Sequence, residues 1–159
     1  MPATIRAQVV AVGSAVPERR LTNAELERMV ETNDAWIVSR TGIHERRIAQ
    51  PGTSTSSLAL PACRQCLDRA GVTPGQVDGV IVATITPDHV IPASANLLQH
   101  KLGATNAWAY DILNACNGFV AALSTATAFI ESGRARRILV VGADIMSSVI
   151  DYRDRETCI

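Results

Sequence analysis

Apolar side chains occur along this chain in two kinds of pattern. Short runs rich in Val and Ile predict strands buried on both faces, and these runs are Ile5–Val12, Gly79–Thr84, Ala107–Leu113, Arg137–Val141 and Thr157–Ile159. Longer segments with apolar residues every three or four positions predict amphipathic helices, and these segments are 23–30, 54–70, 93–102 and 116–132. Because strands and helices alternate, the pattern predicts an α/β fold with a mostly parallel sheet and helices on both faces.

Local signals mark the ends of these helices. Thr22 and Glu25 fit a capping box at the start of the first helix. Gly71, Gly103 and Gly133 follow the other three helices, as is common where a helix ends in a left-handed residue. Since no Pro/Gly/Ser-rich linker or short repeat interrupts the chain, we expect residues 1–159 to form a single domain.

Composition narrows the classes of function. The 159 residues include 15 basic and 15 acidic side chains, so net charge gives no reason to expect nucleic acid or a membrane surface as a partner. No apolar run reaches the length needed to cross a bilayer. The four cysteines lack the dense spacing of a secreted disulfide framework, so we expect free thiols and a cytoplasmic location.

Cys116 stands at a predicted junction between a strand and a helix, in the stretch Y-D-I-L-N-A-C-N-G-F. Reactive groups in α/β sheets gather at the carboxyl ends of strands. The first backbone N–H groups of a helix favour a thiolate there, and a strand-to-helix turn can direct N–H groups at an oxyanion. Cys116 is therefore a candidate acyl-accepting nucleophile, although its position alone is also compatible with a cysteine that only packs.

Other motifs point to simpler roles. C-R-Q-C at 63–66 lies inside an amphipathic helix without a second cysteine pair or a neighbouring histidine, which favours structural cysteines over a metal site. V-V-G-A-D lacks the further glycines of a dinucleotide fingerprint, so we expect no NAD site. The basic cluster at 134–137 fits a solvated surface, or contact with an acidic carrier protein.

Five sequence blocks together resemble one known family. They are L-T-N-A-E-L-E, W-I-V-S-R-T-G-I-H-E-R-R, D-x-x-x-A-C-x-G-F, R-I-L-V-V-G-A-D and D-R-E-T. In this order they resemble β-ketoacyl-acyl carrier protein (ACP) synthase III, a condensing enzyme of the thiolase superfamily. The resemblance implies that the chain is the N-terminal half of a thiolase-like fold.

The resemblance also implies a reaction. Cys116 would take an acyl group from acyl-CoA, and the carbanion formed by decarboxylation of a malonyl-thioester on ACP would then attack the acyl-cysteine. The backbone N–H of Cys116 would form half of the oxyanion hole. Acyl-CoA would be a substrate, and no separate cofactor is expected.

Further site residues follow from matching positions in the same family. Trp36, Arg40 and Arg155 match its CoA-contacting residues, and Thr32 matches a polar position beside the adenine. Ile91 matches the position from which each subunit of the family's homodimer closes its partner's acyl pocket. Without the resemblance, the favoured interpretation would be that Trp36 is a core aromatic and that the arginines are solvated charges.

The chain also departs from the family. Its members have about twice this length, and their decarboxylating histidine and asparagine lie in the second half, so we expect a complementary C-terminal chain or a longer natural form. Asn114 and Asn117 replace small residues beside the nucleophile. These departures leave three alternatives: an acyltransferase of secondary metabolism acting on an alcohol or amine, a non-catalytic assembly subunit, or a plain nucleotide-binding domain.

Overall fold

A computed structural model describes residues 6–159 of the chain. Its helices and strands, in chain order, are β1 Arg19–Thr22, α1 Asn23–Leu26, α2 Asp34–Thr41, β2 Glu45–Ile48, α3 Thr55–Ala70, β3 Gly79–Ala83, α4 Ser94–Leu102, β4 Trp108–Ile112, α5 Gly118–Glu131, β5 Ile138–Gly142 and α6 Arg155–Cys158. Short 3-10 turns lie at Pro74–Gln76, Ala115–Asn117 and Met146–Ser148.

Backbone contacts divide the described residues into two compact units. The first unit comprises the described residues up to Ala15 together with Ser54–Asp144. The second comprises Val16–Thr53 together with Ile145–Ile159. The expectation of a single domain over residues 1–159 stays a prediction, and each unit is described by itself.

The first unit contains a three-stranded parallel sheet in the order β4-β3-β5. All five residues of the central strand β3 are buried. Val80 and Val82 pack on one face with residues of α3 and α4, including Cys63 and Leu98. The other face packs against α5, where Ala122 and Ala126 contribute small side chains to the same cluster as the remaining apolar residues of β3. The α/β prediction, with helices on both faces of a parallel sheet, is confirmed.

The second unit contains an antiparallel pair, β1 with β2, and the short helices α1, α2 and α6. Its apolar cluster is formed by Leu21, Leu26, Ile37 and Cys158. Trp36 packs against this cluster and remains only partly buried. The capping box of Thr22 and Glu25 is present, although α1 ends at Leu26, earlier than the pattern predicted.

Two predicted strands are wrong. Ile5 lies outside the described residues, and residues 6–12 form no strand. This segment instead lies along α3, where the carbonyl of Val12 accepts a hydrogen bond from Arg69 Nη1 at 2.8 Å. The predicted strand Thr157–Ile159 falls mostly in helix α6, because the Asp154 carboxylate accepts the Glu156 N–H at 3.0 Å and caps a helical turn.

The sequence analysis missed β1, β2 and α2. The two strands are short and rich in charged residues, so their apolar signal is weak. Helix α2 has clear end signals in its sequence. Asn33 caps its start by accepting the Trp36 N–H at 2.8 Å, and Gly42 ends it in a left-handed conformation with φ of 70°.

Candidate functional site

Cys116 lies between the end of β4 and the start of α5, as predicted, but on the 3-10 turn Ala115–Asn117. The long helix begins two residues later than expected, at Gly118. The Asn117 N–H donates to the Asn114 carbonyl at 3.1 Å, and the Gly118 N–H donates to the Ala115 carbonyl. These bonds close a tight turn on which the Cys116 side chain is exposed.

Two residues beside Cys116, Ala115 and Gly118, show how tightly the turn is packed and where its backbone is strained. A Cβ atom at Gly118 would lie 3.2 Å from the Ala83 Cβ of β3, which is tighter than most such contacts, so glycine favours the close approach of α5 to the central strand. Ala115 has a φ of 40°, a region that is costly for a residue with a side chain. The backbone beside the cysteine is therefore strained in the way often seen at functional sites.

Large apolar side chains are exposed on both sides of Cys116 in the sequence, and they are Leu113, Phe119 and Val120. Large exposed apolar patches often mark contact with a ligand or another protein surface. An acyl chain is one ligand that such side chains can accept.

Ile91 lies at the exposed tip of the loop before α4, with 87% of its surface accessible. The base of this loop is held by buried polar groups. Asp88 accepts hydrogen bonds from the N–H of Ser56 at 2.8 Å and from its hydroxyl, and the Asp88 N–H donates to Ser94 Oγ at 2.8 Å. These hydrogen bonds fix the base of the loop that presents the exposed Ile91 side chain.

Two carboxylates at the ends of strands also anchor loops. Asp111, the aspartate of the D-x-x-x-A-C block, accepts the N–H groups of Ser94 at 2.8 Å and Ala95 at 2.7 Å, and so caps α4. Asp144, of the V-V-G-A-D block, accepts from Thr84 Oγ1 at 3.0 Å and from the Ile85 N–H at 2.8 Å. The sequence analysis used both aspartates only as parts of motifs. The signal for this anchoring role was a carboxylate at or just beyond the carboxyl end of a predicted strand.

The second unit brings Trp36, Arg40 and Arg155 together. The guanidinium carbon of Arg155 lies 4.5 Å from the centroid of the Trp36 ring, and that of Arg40 lies 5.3 Å from it. Both distances are in the range of cation–π attraction. Arg155 Nε also donates to the Glu31 carbonyl at 2.7 Å, which fixes the guanidinium beside the ring.

An open recess of about 430 Å³ adjoins this cluster and is lined by Glu31, Thr32, Asn33, Trp36 and Arg155. Thr32 Oγ1 is buried and, among the described residues, has no hydrogen-bond partner. A buried hydroxyl without a partner calls for an explanation such as a missing ligand. Three of the four residues predicted to contact CoA, Thr32, Trp36 and Arg155, thus line one recess, and Arg40 lies against the Trp36 ring. Their roles stay predictions.

The motifs that were set aside have structural explanations. Cys63 and Cys66 both lie in α3, and burial raises the pKa of the Cys63 thiol to about 12. Residues 6–159 contain no group of three or more His, Cys, Asp or Glu side chains that could hold a metal ion. Asp78 accepts the N–H groups of Arg136 and Arg137 at 2.7 and 2.9 Å, and these two bonds hold the backbone of the basic cluster in place.

In the same described part of the chain, no helix combines the length and apolarity that a bilayer crossing needs.

Comparison with known proteins shows which proteins this chain resembles. The family model for 3-oxoacyl-(acyl-carrier-protein) synthase III matches residues 110–159. A beta-ketoacyl-(acyl-carrier-protein) synthase III from Koribacter versatilis is 46% identical over 159 residues, which is 100% of this chain and 48% of that protein. The chain therefore spans about half the length of the curated relatives it matches.

Solved structures of similar proteins have the same fold as this chain over about half of their length. The crystal structure of 3-oxoacyl-(acyl-carrier-protein) synthase III from Aquifex aeolicus superposes with a TM-score of 0.91 at 42% identity, covering 95% of this chain and 49% of that one. The priming beta-ketosynthase from the R1128 polyketide biosynthetic pathway gives a TM-score of 0.90 at 39% identity, covering 98% and 47%. The thiolase-like fold is thus confirmed for this half-length chain. Over its whole length the chain is similar to β-ketoacyl-ACP synthase III proteins, so the resemblance that its sequence blocks predicted is confirmed.

Proposed function

We propose that this chain is the nucleophile-bearing part of an acyl-CoA-primed condensing enzyme. The observation that carries the proposal is the exposed Cys116 on a strained turn at the carboxyl end of β4, in a chain that matches synthase III proteins over its whole length. Its position suits a nucleophile, because the side chain is accessible and helix α5 begins directly after the turn.

In the first half-reaction, the Cys116 sulfur attacks the thioester carbonyl of acyl-CoA. The carbonyl oxygen carries negative charge in the tetrahedral intermediate, and the backbone N–H of Cys116 is proposed as one donor to it. The bond to the CoA sulfur then breaks, so that CoA leaves as its thiol and the acyl group remains on Cys116. This covalent step divides the condensation into two easier reactions and predicts ping-pong kinetics.

In the second half-reaction, a malonyl group on ACP loses carbon dioxide, and the resulting carbanion attacks the acyl-cysteine carbonyl. The new carbon–carbon bond forms as the bond to Cys116 sulfur breaks, which releases 3-oxoacyl-ACP and, after protonation, the free thiol. The family resemblance places the decarboxylating histidine and asparagine outside these 159 residues. A homodimer of a longer form or a complementary chain would supply them.

The recess beside Trp36 is proposed to bind the nucleotide part of CoA. An indole and a planar guanidinium can stack on an adenine, and arginines pair well with phosphates. Thr32 Oγ1 supports this proposal because it is a buried hydroxyl without a partner among the described residues. Ile91 is proposed to shape the acyl pocket of a second subunit, which fits its exposure at a loop tip.

The experiment treats the protein, together with any chain that copurifies, with acyl-CoA esters of increasing chain length and measures intact mass and peptide masses. We expect one added acyl group on the peptide that contains Cys116. The Cys116→Ala variant should not be acylated, while Cys66→Ala, which removes a partly buried cysteine of α3, should behave as wild type. A wild-type protein that none of the esters acylates would contradict the proposal.

Carbon dioxide release separates condensation from simple acyl transfer. Acylated protein mixed with malonyl-ACP labelled in its free carboxylate should release labelled carbon dioxide in proportion to the 3-oxoacyl product. Transfer of the acyl group to an alcohol or amine without this release would support an acyltransferase instead.

A further inference from the structure

Asn23 is a buried polar residue at the centre of the second unit, with 2% of its surface exposed. Its side-chain nitrogen donates to Asp34 Oδ1 and to the Ile43 carbonyl, both at 2.8 Å. Its side-chain oxygen accepts from Arg46 Nη1, and its backbone N–H donates to the His44 carbonyl at 3.2 Å. Both hydrogens and the oxygen of the amide are therefore used, as a buried amide requires.

The partners of this amide lie at the two ends of α2. Asp34 is the first residue of the helix, and Ile43 directly follows Gly42, the residue that ends it. A helix of eight residues has little stability by itself, so contacts at its ends decide where it lies. Helix α2 carries Trp36 and Arg40, which form the aromatic and cationic surface beside the recess.

Arg46 makes the arrangement depend strongly on Asn23. Arg46 Nη2 is buried without a hydrogen-bond partner among the described residues, whereas its Nη1 donates to the Asn23 oxygen. Removing the amide would take the Asn23 acceptor from a second nitrogen of this partly buried guanidinium, and unsatisfied charged groups are costly. The Asp34 N–H donates separately to Glu27 Oε1 at 2.6 Å. Without the Asn23 amide, the start of α2 would keep this bond and lose the one to the Asp34 carboxylate.

We propose that Asn23 is a positioning residue for the nucleotide end of acyl-CoA, because its amide holds both ends of the helix that presents Trp36 and Arg40. The inference rests on the proposed function, since it requires that this recess binds the nucleotide. Asn23 itself does not need to touch the substrate.

The test compares two acyl donors that differ only in the nucleotide part. One donor is whichever of acetyl-, butyryl- and octanoyl-CoA acylates the wild-type protein fastest. The other is the N-acetylcysteamine thioester of the same acid, which lacks the nucleotide. The rate constant of Cys116 acylation is measured by intact mass, in the protein together with any chain that copurifies with it.

In Asn23→Ala, we expect the second-order rate constant with acyl-CoA to fall about tenfold, while the rate constant with the short thioester changes by less than about twofold. A purely structural role would lower both rate constants together. The ratio of the two therefore reports on positioning rather than on the amount of folded protein.

A milder pair of variants keeps the test decisive if Asn23→Ala does not fold. Asp34→Ala removes one exposed acceptor of the Asn23 amide, whereas Asp34→Asn keeps an oxygen there and should restore the wild-type ratio. Asn106→Ala is a matched control, because Asn106 Nδ2 donates to the Gly75 carbonyl at 2.8 Å in the first unit.

The possible results distinguish a failure of the proposed role of Asn23 from a failure of the proposed function. An unchanged ratio in Asp34→Ala and in any folded Asn23→Ala protein would overturn the role of Asn23 while leaving the proposed function intact. A wild-type protein acylated by neither donor would overturn the proposed function and this inference with it.

Discussion

The guanidinium carbon of Arg155 lies 4.5 Å from the centroid of the Trp36 ring, and its Nε donates to the carbonyl of Glu31. Trp36 belongs to α2 and Arg155 to α6, so the second unit joins two distant parts of the sequence at one recess. The short C-terminal helix therefore completes a surface that the N-terminal part of the chain begins.

Replacing Arg155 with Ala should weaken the use of acyl-CoA. A lost cation–π contact costs about 0.5–2 kcal/mol, so we expect the second-order rate constant of acylation to fall roughly tenfold. Arg155→Lys should restore only part of the loss, since lysine lacks the planar guanidinium. The control is Arg153→Ala, because Arg153 is an exposed residue paired with Asp151 at 2.9 Å. An equal loss in both alanine variants would contradict the role of Arg155.

Cys116 should react first with a neutral thiol reagent such as a maleimide. It is the exposed member of the four cysteines, while Cys63 and Cys158 are buried and Cys66 is intermediate. We expect one cysteine to be labelled quickly in the native protein and all four cysteines to be labelled after unfolding. Peptide mapping should find the fast label on Cys116, and Cys116→Ala should lack it. Fast labelling of Cys63 would show that α3 does not pack as described.

Ala115→Gly should stabilise the protein, because Ala115 has a φ of 40° and glycine adopts that conformation at little cost. The expected gain in the free energy of unfolding is about 0.5–1 kcal/mol, measured by urea denaturation. Ala128→Gly is the comparison, since Ala128 is an exposed residue inside helix α5 and glycine in a helix interior should lower stability. Equal destabilisation by both changes would contradict the strain at Ala115.

Gly13→Ala should destabilise the first unit. A Cβ at Gly13 would lie 2.1 Å from the Ala62 carbonyl oxygen and 2.8 Å from the Cys66 nitrogen, both backbone atoms of α3. Because the helix backbone cannot move aside easily, we expect a loss of about 2–3 kcal/mol in the free energy of unfolding. Gly75→Ala is the matched control, since nothing lies within 4 Å of its added Cβ. A Gly13→Ala protein as stable as Gly75→Ala would be incompatible with this close approach.

Asp88 should make stability depend on pH. Burial opposes ionisation, but hydrogen bonds from Ser56, and also from Ser54 and Ser94, outweigh it and lower the pKa of Asp88 below the ordinary value of 3.8. A carboxylate with a lowered folded-state pKa contributes stability above its unfolded-state pKa and loses it as pH falls through the folded-state value.

The advantage of wild type over Asp88→Asn should therefore be full above about pH 5 and shrink as the pH falls below 3.8. Urea denaturation at a series of pH values measures this advantage. In a Ser56→Ala background, which lacks the hydroxyl that donates to Asp88, the pH-dependent part should be smaller. A constant advantage at every pH would contradict the lowered pKa.

The sequence predicted the first unit well. Continuous apolar runs located β3, β4 and β5 within one or two residues, and glycines marked the ends of α3 and α4. These signals are local, because a buried strand and an amphipathic helix each show their burial in their own side chains. The segment 6–12 also has a strand-like pattern, but a strand requires a neighbour for its backbone hydrogen bonds, and local pattern cannot supply one.

In the candidate site, too, local sequence signals predicted some features, and contacts between distant segments decided others. The sequence by itself determined that Cys116 follows an apolar strand, and its motifs named Trp36, Arg40 and Arg155 as candidate contacts for CoA. Only the tertiary structure decided that Cys116 stands on a 3-10 turn, that Asn23 holds both ends of α2, and that Arg155 reaches the Trp36 ring. The physical reason is that periodicity and capping act within a few residues, whereas hydrogen bonds and ring contacts between distant segments depend on how the chain packs.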